Sequence, residues 1–221
     1  MGGTLLMGQI LQDTAQEIYY VEPLTAVEKP GYQAIKRLFD VAASVLILLV
    51  LGIPMLLLTV VIRMDSPGPA IFRQGRLGKD GRPFVIYKYR TMREDAERNG
   101  PQWAESHDTR CTKLGHILRR GHIDELPQLI NVLKGEMSLV GPRPERECFY
   151  RQFETYIHGF SQRLQVTPGI TGWAQINGGY ELLPEEKILF DMEYIRRRSV
   201  AFDVKCMLGT VGTVLRHDGA R

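Results

Sequence analysis

The sequence predicts an α+β fold tied to a membrane by one apolar helix. Three observations carry this: residues 41–62 are 22 positions without a charge, two strand-like runs flank a cluster of glycines, and apolar residues recur at helical spacing in later segments, the last of them amphipathic. With 221 residues, 44% hydrophobic and 24% charged, the chain is long enough for a sizeable core and is neither a disordered tail nor a disulfide-built miniprotein. Its net charge of +3 is too mild to argue for nucleic acid. Cys111, Cys148 and Cys206 stand far apart and odd in number, the usage of reduced thiols facing cytoplasm.

Residues 1–34 form an N-terminal extension that carries no strong pattern, and it is read as loosely attached, with helical character around 10–20. The apolar run, within a membrane segment at 35–64, reaches about 33 Å as a helix, enough for a ~30 Å hydrocarbon layer. It lies too far from the N-terminus for a secretory signal. Pro54, next to Gly52 and Ile53, removes a backbone hydrogen bond in its middle, so a break is expected there. The halves, 41–53 and 54–62, then each match about half a bilayer. Basic residues flank both ends: Lys29, Lys36 and Arg37 before, Arg63, Arg73, Arg76, Lys79 and Arg82 after. These residues leave a kinked spanning helix and a bent re-entrant one both open.

Residues 65–221 read as a cytoplasmic domain. Asp65-Ser66-Pro67-Gly68-Pro69 ends the helix. Strands at 70–74 and 83–90 form a hairpin, and 93–110 a polar, mobile loop around Asn99-Gly100-Pro101. Asp124 is placed as the N-cap of a helix carrying Leu126, Leu129, Ile130 and Leu133, which Gly135 stops. A helix is expected over 145–161, a rigid loop at 168–173, and another helix from Pro184. In the last helix, Val204, Met207, Leu208, Val211 and Leu215 share a face, which is more often core than membrane contact.

Asp124-Glu125 is the most informative pair for chemistry. In isolation it reads as a cap followed by a surface Glu. Near it in sequence, however, stand Arg119, Arg120, His122 and a proline-stiffened Arg143, with Lys88 and Arg90 closing the second strand. Carboxylates and cations at a helix start suit phosphoryl transfer with a divalent metal. The glycines at 75, 78 and 81 join strands and form no phosphate loop. The five histidines lack zinc spacing. Arg196-Arg197-Arg198 suits a helix end or a lipid headgroup.

Five blocks, in order, resemble the bacterial sugar transferases, the monotopic phosphoglycosyl transferases. They are Lys36-Arg37-Leu38-Phe39-Asp40 before the proline-broken helix; Tyr87-Lys88-Tyr89-Arg90-Thr91-Met92; Asp124-Glu125-Leu126-Pro127-Gln128-Leu129; Ser138-Leu139-Val140-Gly141-Pro142-Arg143-Pro144; and Pro168-Gly169-Ile170-Thr171-Gly172-Trp173-Ala174-Gln175. The resemblance implies transfer of a sugar-1-phosphate from a UDP-sugar to polyprenyl (undecaprenyl) phosphate, with release of UMP, at the start of exopolysaccharide or glycoconjugate synthesis. It also implies a re-entrant helix kinked at Pro54 and a catalytic domain on the cytoplasmic face of the membrane. Asp124 would be the nucleophile and Glu125 its partner, with Mg²⁺ near both. Arg119, Arg143, Lys88 and Asp191 match positions used around the nucleotide and phosphates. The implied partners are the donor, the lipid acceptor, the bilayer and a second copy in a homodimer, with no nucleic acid. Ile53, Thr167 and Gly179 depart from the family, which often has Ser, Arg and Arg at those places. Lacking the N-terminal transmembrane helices of larger members, the chain is read as the minimal catalytic form. A non-catalytic membrane scaffold and a metal-dependent phosphohydrolase are the competing functions.

Overall fold

The computed structural model describes residues 10–13, 18–98, 100, 108–179 and 182–216. Helices and short strands mix as the α+β reading expects. The N-terminal extension departs from expectation. Strands β1 (Ile10–Asp13) and β2 (Ile18–Val21) pair antiparallel where helix was expected. Ile18-Tyr19-Tyr20-Val21 is β-branched and aromatic, which favours a pleated edge over a helix. That edge exists because β6 (Ile157–His158) pairs parallel with β2. Nor are residues 18–27 loose: the Leu24 and Ala26 N–H groups donate to the Gln162 and Gln165 side chains, each at 2.7 Å.

Helix α1 (Pro30–Asp65) runs 36 residues, about 54 Å at the usual rise. It continues through Gly52 and Pro54, so the expected break is not a break in helical structure. Pro54 removes one donor there without ending the helix. Both ends of α1 are fastened to the rest of the chain. Near its start, Arg37 donates to the carbonyls of Val132 and Leu133 (2.5 and 2.8 Å), and buried Asp40 accepts from the Leu139 N–H (3.0 Å). Lys36 pairs with Asp203 at 2.9 Å. Near its end, the Tyr89 hydroxyl donates to the Met55 carbonyl (2.7 Å), and Arg90 donates to the carbonyls of Ser66 (2.6 Å) and Pro67 (2.5 Å). Between these anchor points Leu46, Leu49, Val50 and Ile53 are exposed, and so are Leu56, Leu57, Val60, Val61 and Met64 beyond Met55.

The hairpin is present as β3 (Ile71–Leu77) and β4 (Pro83–Tyr89), in register from Ile71 opposite Tyr89 to Leu77 opposite Pro83. Of the expected loop at 93–110, residues 99 and 101–107, with its Asn99 and Pro101, lie outside the described residues. Helix α2 (Lys113–Arg120) is capped by the Thr112 hydroxyl, which accepts from the Gly115 N–H at 2.9 Å. A 3₁₀ turn (Ile123–Gln128) then leads into α3 (Leu129–Lys134), stopped by Gly135 in the left-handed region as expected. Helix α4 spans only Glu147–Glu154, shorter than the 145–161 expected. The Glu154 carboxylate accepts from the N–H groups of Gly159 and Ser161, and Gly159 sits at φ +95°, so the chain turns out of the helix here.

The stretch expected as a rigid loop is a strand and a helical turn: β7 (Gly169–Thr171) and α5 (Trp173–Ile176). β7 runs parallel to β5 (Ser138–Val140), with Ser138 opposite Gly169 and Val140 opposite Thr171. The chains approach closely, since a Cβ on Gly169 would lie 2.1 Å from the Gly141 nitrogen. Gly169→Ala is therefore expected to force these segments apart and lower stability by about 1–3 kcal/mol or more, read as a fall in midpoint by denaturant titration. Helices α6 (Pro184–Arg197) and α7 (Val200–Arg216) close the chain. The main core gathers Tyr150, Phe153, Phe160, Ile188, Tyr194, Ile195, Phe202 and Cys206 from α4, α6, α7 and their connections. On α7 the buried face is Phe202, Asp203 and Cys206, while Val204, Leu208 and Val211 point outward. Of the stripe read as core, Val204, Leu208 and Val211 therefore face away from it, while Met207 packs against it. Of the arginine cluster, Arg198 is buried and binds the carbonyls of Ile195 and Val27, Arg197 pairs with Glu193, and Arg196 with Glu22.

Candidate active site

Asp124 and Glu125 lie in the 3₁₀ turn, not at the cap of an α-helix. His122, in the left-handed region (φ 52°), turns the chain after α2, and the Glu125 N–H donates to the His122 carbonyl three residues back at 3.2 Å. So short a turn makes little macrodipole, and burial and neighbouring charges set the character of the pair. Asn131 locks this region against β4: its side chain accepts from the Tyr87 N–H (3.1 Å) and donates to the Val85 carbonyl (2.7 Å). That lock brings Lys88, at the end of β4, to 3.1 Å from Glu125. Arg143, between its two prolines, donates to Glu125 through both terminal nitrogens.

The two carboxylates thus have opposite environments. Burial pushes the Glu125 carboxyl up, but Arg143 and Lys88 outweigh it and hold the group well below the usual carboxylate range. Asp124 is pushed up to about 6, first by burial and then by the adjacent Glu125 charge, against the pull of Lys88, Arg119 and Arg143. Glu125 is ionised and occupied. Asp124 accepts no hydrogen bond from any described residue, and its side chain lines a cavity of about 880 Å³. Arg73, Arg76, Lys88, Arg90, Arg110, Arg119, Arg143 and Arg146 line the same cavity, a largely cationic bowl that holds the Asp124 carboxylate. Arg119 is aimed by its Nε–H···Oγ1 bond to Thr91, 2.9 Å.

Of the predicted site residues, Asp124, Glu125, Lys88, Arg119 and Arg143 come together around this cavity. Asp191 does not line it. It is buried behind the site on α6, 2.6 Å from Arg163. Pro54 lies apart, exposed on α1. Sequence reasoning missed Lys187 and Glu145, which join Glu125 and Arg143 in the wall of the cavity. The i, i+4 spacing of Lys187 and Asp191 on one helix was the available signal. Burial pushes the Lys187 amine down to about 8. Among the described residues no three His, Cys, Asp or Glu side chains cluster as a metal cage. Two adjacent carboxylates, one of them free and facing the cavity, fit an ion such as Mg²⁺, which takes one or two protein carboxylates and completes its shell with phosphate oxygens and water.

The sequence profile of the bacterial sugar transferases matches residues 31–217. The chain belongs to this family. A UDP-N-acetylgalactosamine-undecaprenyl-phosphate N-acetylgalactosaminephosphotransferase of Aeromonas hydrophila is 44% identical over 195 residues, covering 87% of this chain and 46% of that protein. A UDP-glucose:undecaprenyl-phosphate glucose-1-phosphate transferase of Escherichia coli K12 is 42% identical over 198 residues, 87% and 42% of the two chains. The protein of the same name from Caulobacter vibrioides is 44% identical over 194 residues, 84% and 71%. The chain thus spans less than half the length of the first two relatives.

Proposed function

We propose that the chain transfers a sugar-1-phosphate from a UDP-sugar to polyprenyl phosphate at the cytoplasmic face of the membrane. The observation that carries this is the unpaired Asp124 carboxylate facing the cation-lined cavity, beside a Glu125 already neutralised by two cations. An Asp124 oxygen attacks the sugar-bearing β-phosphorus, a new P–O bond forms, and the bond to the bridging oxygen breaks so that UMP leaves. The acceptor's phosphate oxygen then attacks the same phosphorus, and the electron pair of the Asp124 bond returns to the carboxylate. Lys88, Arg119 and Arg143 offset the charge on the phosphoryl oxygens, the main electrostatic demand of this chemistry. Mg²⁺, held by Asp124 and Glu125, would add positive charge against the donor phosphates.

The anchor reading rests on the fastening of both ends of α1 to one domain. A helix whose residues 36–40 and 55–66 both bind that domain has both ends tied to the same body, with exposed apolar residues such as Leu49, Ile53 and Leu57 free to meet lipid, which supports re-entry over spanning. Gly31→Cys and Gly75→Cys, in a background without the native cysteines, should both label only from the cytoplasmic side. A Cβ at either position meets nothing within 4 Å, so the probes do not disturb the fold. Label reaching position 31 from outside defeats re-entry. For the reaction, the test is incubation with UDP-sugars, Mg²⁺ and polyprenyl phosphate. A transferase yields UMP and lipid-linked sugar, whereas a phosphohydrolase yields products without lipid.

A further inference from the structure

The Glu125–Arg143 ion pair also lines a second cavity, of about 240 Å³. Its walls are apolar: Leu126, Leu129, Leu139, Ile170 and Ala174, with Ile47 of α1 among them. Two parts of the lining differ in kind. Ile47 belongs to the membrane helix, between exposed Leu46 and Leu49. His122, Glu125, Arg143, Glu145 and Lys187 line both cavities. Asp124 lines only the polar one. A mainly apolar space thus touches both the anchor helix and the charged pair that borders the cationic bowl.

We propose that this cavity seats the phosphate-proximal isoprene units of the acceptor lipid, with the lipid phosphate held among the groups that line both cavities, where the polar cavity brings Asp124. The proposal rests on the transferase reading above. Chemistry selects the occupant: the walls suit hydrocarbon, Ile47 brings the lipid-facing helix into the lining, and the cations Arg143 and Lys187, which line both cavities alongside Glu125 and Glu145, suit a phosphate. Size sets how much of the chain enters. A dry apolar cavity of about 150 Å³ holds benzene, so 240 Å³ holds roughly ten carbons, or two isoprene units. The remaining chain stays in the bilayer and contributes little to recognition.

The test uses the purified full chain in detergent, with isoprenyl monophosphates of one to four units and the UDP-sugar it accepts. kcat/KM should rise at least tenfold from one unit to two, then change less than threefold. Decyl phosphate, of equal carbon number but unbranched, should be at least tenfold poorer. Ala174→Leu should raise KM for geranyl phosphate at least tenfold while KM for the UDP-sugar moves less than twofold. Thr213→Leu, on another wall of the cavity, gives the same split if Ala174→Leu does not fold. An even rise through four units, equal use of decyl phosphate, or parallel changes in both KM values overturns the proposal. If no UDP-sugar yields UMP, the transferase reading fails. Direct binding of geranyl phosphate by native mass spectrometry still reads the cavity: tenfold weaker binding to Ala174→Leu supports it, and equal binding overturns it.

Discussion

Asp124→Asn is expected to lower UMP release by roughly a thousandfold or more, the scale on which loss of a nucleophile acts. The amide keeps the shape of the side chain but cannot form the covalent phosphosugar. Stability should not fall with activity. The ionised Asp124 is buried beside the ionised Glu125 and accepts no hydrogen bond from a described residue, so its charge opposes folding. Thermal unfolding of Asp124→Asn should therefore occur at or above the wild-type midpoint. Glu125→Gln should behave differently, because it strips Lys88 and Arg143 of their shared partner. It should lose both activity and stability. Turnover above a few per cent in Asp124→Asn, with deamidation excluded by intact mass, removes Asp124 from the nucleophile role. An intact mass of the wild type quenched with donor alone should carry one added sugar phosphate, on the peptide holding Asp124.

The sequence and the structure agree most closely where one local rule acts alone. Gly135 stops α3, Pro184 opens α6, and Gly78 and Gly81 lie in the hairpin turn, although Gly75, expected with them, sits within β3 opposite Val85. The dyad with Lys88, Arg119 and Arg143 was also legible, because ordered motifs carry it through the chain. What was not legible depends on partners distant in sequence. Residues 18–21 pair with β1 on one side and, on the other, with Ile157 and His158, 138 positions later. Val204, Leu208 and Val211 form a helical stripe that spacing assigns to a core, but the core packs on Phe202 and Cys206 instead. Asp124 looked like a cap because a carboxylate before an apolar run usually is one. His122 in the left-handed region changes the turn, and no propensity of histidine announces that. Pro54 is exposed and leaves the helix unbroken, whereas its rule predicts an interruption.

Asp191 separates a binding role from a structural one. Family resemblance puts it near the nucleotide, while the structure buries it against Arg163, both side chains nearly inaccessible at 1% and 2%. The pair is close, at 2.6 Å, yet among the described residues neither Asp191 oxygen makes a well-formed hydrogen bond, and Arg163 Nε and Nη1 have no hydrogen-bond partner. Arg163 also stacks over Phe160 at 5.0 Å and donates to the Arg143 carbonyl at 3.0 Å. The pair thus supports the backbone that aims Arg143 at Glu125. Removing one partner strands a buried charge, which costs about 3–5 kcal/mol. Arg163→Met or Asp191→Leu alone should accordingly lower the melting temperature by roughly 10 °C in a chain of this size. The double replacement Arg163→Met/Asp191→Leu removes both charges together and should recover most of that loss, because desolvation of so poorly hydrogen-bonded a pair is not repaid by attraction. If Asp191 instead binds donor, Asp191→Leu should raise KM for the UDP-sugar with little change in melting temperature, and the second substitution should rescue nothing. A melting series on the four proteins, with KM measured on those that fold at the assay temperature, decides between the two.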